Sequence, residues 1–240
     1  LVLLSACLIM VLGAGCAKLF SEPTPSDAVL YRRGESLFKE GKYRKAGKAM
    51  EKLLQEYFES KYKAPALFVL AETQFFRQKY DEAQFNYDKF VEIYPTHNWT
   101  EKAVYRSALC DFNRILNSDK DQGYALLTLE KLTKFMKQYP DSSYRKEVAK
   151  RIEFSKYRLA EQELYVADFY MKTKAYGPAI LRYEKLFNDY PGLDFEDKIL
   201  YSLGQAYRKT GEKKKARETF RKLYTIHPKS ELAGKARKHF

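Results

Sequence analysis

The chain has little of what most site chemistries need. It holds three cysteines (Cys7, Cys16 and Cys110) in 240 residues and no CxxC, which leaves no disulfide framework and no redox motif. Its three histidines (His97, His227 and His239) stand at no metal-ligand spacing with one another or with a cysteine, which argues against a zinc site. No GxSxG, HExxH, Walker A or GxGxxG occurs, so no positioned nucleophile, base or phosphate loop can be read. Glycine (11) and proline (8) are too sparse for a turn-rich all-β protein and suit a helical one.

What is present is a globular composition, with 45% hydrophobic and 31% charged residues. Aromatics reach 15%, as 20 Tyr and 16 Phe beside one Trp. The net charge of +13 suits an acidic partner, an anionic membrane surface or nucleic acid, and says nothing about fold. Twelve of the Lys and Arg fall in residues 208–240 against three acids, Glu212, Glu218 and Glu231. That end suits an acidic partner domain. Nucleic acid is the poorer reading of it, because the chain carries an export signal.

That signal is LVLLSACLIMVLGAGC, apolar from Leu1 to Cys16 and followed by Lys18 and a polar stretch, SEPTPSD. The run is short for a membrane span and ends on small residues, as signal peptides do. Gly13-Ala14-Gly15-Cys16 looks like a bacterial lipobox, which makes Cys16 the expected lipidation site. Leu4-Ser5-Ala6-Cys7 also fits, but cleavage there leaves LIMVLGAG exposed on the mature chain. An uncleaved anchor or an ordinary secretion signal is the alternative. Residues 1–16 are thus expected as a leader and 17–27 as a tether. Similarity to bacterial lipoproteins, with Ala17 and not Asp after the cysteine, implies the outer membrane.

One phrase recurs: YDKFVEIYP at 87–95, LEKLTKFMKQYP at 129–140, YEKLFNDYP at 183–191 and FRKLYTIHP at 220–228. Aligned on their prolines, three of these units carry a small residue 24 positions earlier (Ala71, Ala167, Gly204) and another 12 earlier (Ala83, Ala179, Ala216). An aromatic stands eight earlier (Tyr87, Tyr183, Phe220), and Phe90, Leu186 or Leu223 five earlier. Gly34, Ala46, Met50 and Leu53 repeat the rule in a first unit that has Phe58 where proline is expected. Fixed-period self-similarity of this kind is the tetratricopeptide (TPR) pattern. Small residues let two helices approach, large ones fill the space between turns, and proline ends the second helix. Gly41 and Gly211 fall where the turn inside a repeat needs a permissive backbone. A third unit has a first helix near 101–115, Ala108 at its small position and a polar insertion at 117–124. Residues 142–172 lack Gly and Pro and read as one long helix capped by Asp141 or Ser142. The expected fold is all-α, a superhelix of about five hairpins, with repeats one to three in 28–140 and the long helix with repeats four and five in 141–240.

Such an array offers a groove lined by the first helix of each hairpin. Tyr31, Glu35 and Phe38 share one face, then Phe68, Glu72 and Phe75, then Tyr105 and Phe112. Aromatics with interspersed charge can clamp a peptide, or can be packing between repeats. Cys110 is expected as a buried, inert thiol, His97 as a turn residue, and Lys213-Lys214-Lys215 as a solvated run.

The leader, the short tether and five hairpins resemble the BamD family of outer membrane protein assembly factors over nearly the whole chain. The more specific parts are YPTH at 94–97, the long helix with AKRIEFSKYRLAEQELYVADFY, and AYGPAILRYEKLFNDYP at 175–191. The resemblance implies a non-enzymatic subunit of the β-barrel assembly (BAM) machinery without cofactor. It implies a lipid-anchored protein on the periplasmic face of the outer membrane, in contact with the POTRA region of BamA and with targeting segments of unfolded outer-membrane proteins. Other lipoproteins of that machinery are further implied partners. It places substrate recognition in the N-terminal repeats, matching Arg44 and Tyr57, and the BamA contact at Arg182. The rival readings are a periplasmic TPR scaffold of the Tol–Pal type and a pilotin-like lipoprotein of secretin assembly.

Overall fold

The computed structural model describes residues 24–239. The leader, Cys7, Cys16 and most of the tether lie outside the described residues. The fold is all-α, with no strand among the described residues. Five hairpins follow one another: α1 (Asp27–Lys39) with α2 (Tyr43–Glu56), α3 (Lys63–Phe76) with α4 (Tyr80–Ile93), α5 (Thr100–Phe112) with α6 (Gly123–Gln138), α7 (Arg145–Lys172) with α8 (Tyr176–Asp189), and α9 (Glu196–Lys209) with α10 (Lys213–Ile226). A short α11 (Glu231–Ala236) closes the stack against α10 and α9. Each helix packs chiefly on its neighbours in the chain, the architecture of a TPR superhelix. No described helix is long and apolar enough to cross a membrane.

Inside a hairpin the two helices touch where side chains vanish. A Cβ on Gly204 would lie 2.5 Å from the Phe220 ring, and one on Gly34 2.5 Å from the Met50 terminal methyl. Met50, Tyr87, Tyr183 and Phe220 are completely buried, as are Leu53, Phe90, Leu186 and Leu223 three residues on. Leu132 and Phe135 fill the same two positions of the third hairpin. The recurrent phrase is therefore the core-facing stripe of each second helix.

The turn between the two helices needs a left-handed residue. Gly41 (φ +73°) and Gly211 (φ +84°) supply it in the first and last hairpins. Gln78 (φ +59°) and Lys174 (φ +62°) adopt the same conformation in the second and fourth, without glycine's freedom. At the other end each second helix stops on a cap that has left the helical conformation: Tyr57, Tyr94, Tyr139, Tyr190 or His227, with φ between −122° and −131° and ψ between 57° and 77°. Proline after the cap keeps that residue out of the helical region in four repeats. The first repeat keeps the same cap conformation with Phe58 in place of proline, and there the Tyr57 hydroxyl donates to the Pro25 carbonyl at 2.8 Å.

Three sequence expectations need adjustment. The first helix of repeat three ends at Phe112, and the loop that follows spans 113–122 and not 117–124, because Gly123 and Tyr124 already belong to α6. The buried Gln122 carboxamide donates to the carbonyls of Leu116, Asn117 and Lys120 and pins this loop. The long helix starts at Arg145, and neither Asp141 nor Ser142 caps it. The Ser142 hydroxyl instead accepts from the Tyr144 N–H and donates to Glu101, tying the turn back to α5.

At 28 residues, α7 runs about 42 Å. Val148 and Ile152 join the core of α5 and α6, whereas Ala160, Leu164 and Ala167 join that of α8 to α10. One rigid rod thus couples the two parts of the stack.

Two stability outcomes follow from these contacts. Gly204→Leu forces a side chain into the Phe220 ring and should cost about 3 kcal/mol. Lys174→Gly relieves a left-handed lysine and should add about 0.5 kcal/mol, both read from urea midpoints.

Candidate functional site

The first helices of the hairpins stand side by side and form one wall. Three aromatic positions recur on it, spaced 37 residues apart: Phe38, Phe75 and Phe112. All three are half-buried. Phe38 meets Tyr43 and Phe76 at ring distances of 5.4 and 5.7 Å, and Tyr43 stacks on Phe76 at 5.0 Å. Phe75 packs edge-on to Tyr80. The Arg106 guanidinium lies 4.8 Å above Phe75, and Arg151 5.3 Å above Phe112, which also meets Phe154. Phe76 and Phe154 are each 45% exposed. The result is an aromatic ladder on α1, α3, α5 and the first half of α7, crossed by arginines.

Beside the ladder, Lys102, Tyr105, Arg106, Leu109, Tyr144, Glu147 and Arg151 line an open hollow between α5 and the start of α7. Glu72 anchors this region from below. It is buried, and it accepts from the Tyr87 hydroxyl at 2.5 Å and from Arg106 on both oxygens, at 2.9 and 3.1 Å. Burial first, then the Glu72 charge, raises the Tyr87 phenol well above its ordinary value, so Tyr87 remains a donor. Asp168 receives the Tyr183 hydroxyl and Lys198 in the same way two repeats later.

The structure separates the sequence candidates into distinct environments. Glu35 is partly exposed and pairs with Lys39, while Phe38 and Phe75 reach the wall surface. Tyr31, Phe68 and Tyr105 instead carry the packing of one repeat on the next. Tyr31 stacks on Tyr62 at 5.0 Å, Phe68 meets Trp99 at 5.0 Å, and Tyr105 stacks on Tyr144 at 4.6 Å. Tyr62, Trp99 and Tyr144 are each the residue before the next first helix. Arg44 is exposed on α2 and carries no ion pair among the described residues. Tyr57 caps α2, half-buried. Arg182 lies on α8, away from the ladder, where it pairs with Glu163 at 2.8 Å.

Sequence reasoning missed the cap aromatics and the contribution of Arg151 and Phe154. A signal existed for the first: Tyr31–Tyr62 and Phe68–Trp99 are each 31 apart, and Tyr105–Tyr144 is 39 apart, longer by the eight residues the third repeat inserts. No such spacing marks Arg151, since its place depends on where the long helix crosses α5.

The arrangement offers apolar clefts and positive charge to a polypeptide. Among the described residues no group of His, Cys, Asp and Glu could hold a metal. Burial pushes the Cys110 thiol up to about 12.

A family model for YfiO, described as an outer membrane lipoprotein, matches residues 23–237. Among similar proteins is the outer membrane protein assembly factor BamD of Caulobacter vibrioides, 23% identical over 222 residues that cover 90% of this chain and 72% of that protein. The BamD of Rickettsia prowazekii is 26% identical, covering 87% and 84%, and that of Neisseria meningitidis serogroup A 26% identical, covering 84% and 79%. Solved structures of similar chains include a thermophilic TPR protein of Thermus thermophilus (18% identity, TM-score 0.39, 89% and 98% covered) and the TPR2AB domain of yeast Sti1 (13% identity, TM-score 0.46, 86% and 80% covered).

Two measurements test the site's construction. Glu72→Ala strands Arg106 and the Tyr87 hydroxyl and should cost about 3 kcal/mol, whereas Glu72→Leu combined with Arg106→Met should cost less than Glu72→Ala alone. At pH 8 Cys110 should resist thiol reagents in the native protein and react fully in denaturant.

Proposed function

This chain belongs to the YfiO family of outer membrane lipoproteins, and from that premise we propose that it is a non-enzymatic subunit of the β-barrel assembly (BAM) complex. In this reading it helps deliver unfolded outer-membrane proteins for insertion into the outer membrane. The similar proteins named outer membrane protein assembly factor support the broad assignment. Cys16 carries the acyl anchor, the residues before it are removed as leader, and 17–27 tether the repeats to the periplasmic face.

The observation that carries the peptide-binding part is the half-exposed ladder of Phe38, Phe75 and Phe112 with arginines laid across it. An aromatic-rich strand from a client can set its rings against these rings, and edge or offset contacts between aromatics each add about 0.5–1.5 kcal/mol beyond burial. Lys102 and Arg151 offer the adjoining hollow to a carboxylate of the same segment, which would displace the Glu147 that Arg151 holds at 2.6 Å. Arg44 and Tyr57 extend this region on the first repeat. Tyr31, Glu35, Phe68, Glu72 and Tyr105 support it, chiefly by holding the repeats in register. Binding and release suffice; no bond is made or broken.

The second contact is to the POTRA region of BamA, through Arg182 on α8. Its guanidinium is about two-fifths exposed beside Glu163 and can exchange that carboxylate for one on the partner.

Photo-crosslinking in membranes tests both contacts. A crosslinker at Phe75 should capture unfolded outer-membrane proteins, and one at Arg182 should capture BamA. Arg182→Glu should weaken BamA capture about tenfold or more. Capture of Pal or a secretin at these positions, or of nothing, would overturn the assignment.

A further inference from the structure

Positive charge is not spread evenly over this molecule. Residues 208–240 hold twelve Lys and Arg against three acids, and so carry nine of the thirteen net charges. All twelve side chains are exposed. Few are neutralised: Lys215 pairs with Glu212, Arg208 lies against His239, and Lys222 sits over the Phe187 ring. Lys209, Lys213, Lys214, Arg217, Arg221, Lys229, Lys235, Arg237 and Lys238 form no ion pair among the described residues. Along the first three repeats, by contrast, lysines and arginines repeatedly pair with acids.

The placement gives this charge one direction. On α10 the buried stripe is Ala216, Phe220 and Leu223. Lys213, Arg217 and Arg221 follow one another at i, i+4 and i+8, off that stripe, with Lys214 beside them. The two acids near this face, Glu218 and Glu231, are outnumbered and unpaired.

We propose that the outer face of α10, with the Lys and Arg of the C-terminal end, docks on anionic phospholipid headgroups. Eight of the twelve cations are lysine. Lysine is depleted at protein interfaces, where aromatics and arginine supply the anchoring contacts. A hollow lined by Phe187, Tyr207, Thr219 and Lys222 does lie beside α10, but on the flank of its buried stripe opposite Arg217 and Arg221. Diffuse, exposed, lysine-rich charge is instead what adsorbs to a charged bilayer, where each Lys or Arg adds about fivefold to partitioning. The chain belongs to a family of outer membrane lipoproteins, so such a surface is within reach. An anchor before α1 and a cationic face on α10 hold opposite ends of the stack, which lays the superhelix along the bilayer. The proposal is independent of which polypeptides the aromatic ladder takes.

Vesicle co-sedimentation tests it, using the full chain with Cys7→Ser and Cys16→Ser so that no acyl group is attached. Vesicles of phosphatidylcholine with 30% phosphatidylglycerol should bind about a hundredfold more tightly than pure phosphatidylcholine at low salt, and the difference should collapse in 0.5 M salt. The comparison between vesicles cancels any binding by the apolar leader. Lys213→Gln, Lys214→Gln, Arg217→Gln and Arg221→Gln together should remove most of that preference. The same loss of charge on the second helices of the first repeats, as Lys48→Gln, Lys89→Gln, Lys134→Gln and Lys137→Gln, should leave it. Equal binding to both vesicles, or equal loss in both variants, overturns the proposal. So does a crosslinker at Arg217 that captures an acidic protein while phosphatidylglycerol vesicles are ignored.

Discussion

Two helices can lie against each other only as closely as the side chains between them allow, and every hairpin here is set by that limit. Gly34 and Gly204 leave no room for a Cβ beside Met50 and Phe220. Ala71, Ala108 and Ala167 hold the same place with no exposed surface to speak of. Close approach buries a large residue at each repeat, and burial of that kind contributes roughly 1.5–3 kcal/mol per side chain. The left-handed turn, the cap before proline and the spacing of the recurrent phrase all serve to bring the small residue opposite the large one.

Stacking one hairpin on the next is a separate problem with a separate solution. A cap aromatic lies on the preceding first helix, and a serine reaches back to an acid in that helix's first turn: Ser60 to Asp27, Ser142 to Glu101 and Ser230 to Asp197. Tyr87 with Glu72 adds a buried hydrogen bond and Tyr183 with Asp168 a partly buried one, each joined by a cation from the next repeat. These contacts are directional, so they fix register where apolar burial alone would permit sliding. The aromatic ladder depends on that register. Phe38, Phe75 and Phe112 come from three hairpins and form one surface because the hairpins cannot slip.

The long helix changes the design in the middle. Its first half completes the surface of repeat three, placing Arg151 and Phe154 beside Phe112, and its second half opens repeat four. A rod of this length transmits position between the two parts of the stack. The aromatic wall and the α8 surface bearing Arg182 therefore sit on one frame, while the cationic α10 lies beyond both.

The sequence by itself determined the hairpins. Small residues 24 and 12 positions before a proline, with large ones eight and five before it, are a one-dimensional record of helix pairing, because partners within a hairpin lie close along the chain. It also determined the charge imbalance and the long uninterrupted helix. Tertiary structure decided which aromatics face outward. Tyr31, Phe68 and Tyr105 read the same as Phe38, Phe75 and Phe112 on a helical projection, and only the arrival of Tyr62, Trp99 and Tyr144 from the next repeat turned the first set into packing. Likewise, Glu72 became an interior anchor and Arg151 a neighbour of Phe112 through contacts between residues 34 or more apart. Such contacts depend on how one hairpin settles on another, and no local spacing encodes that.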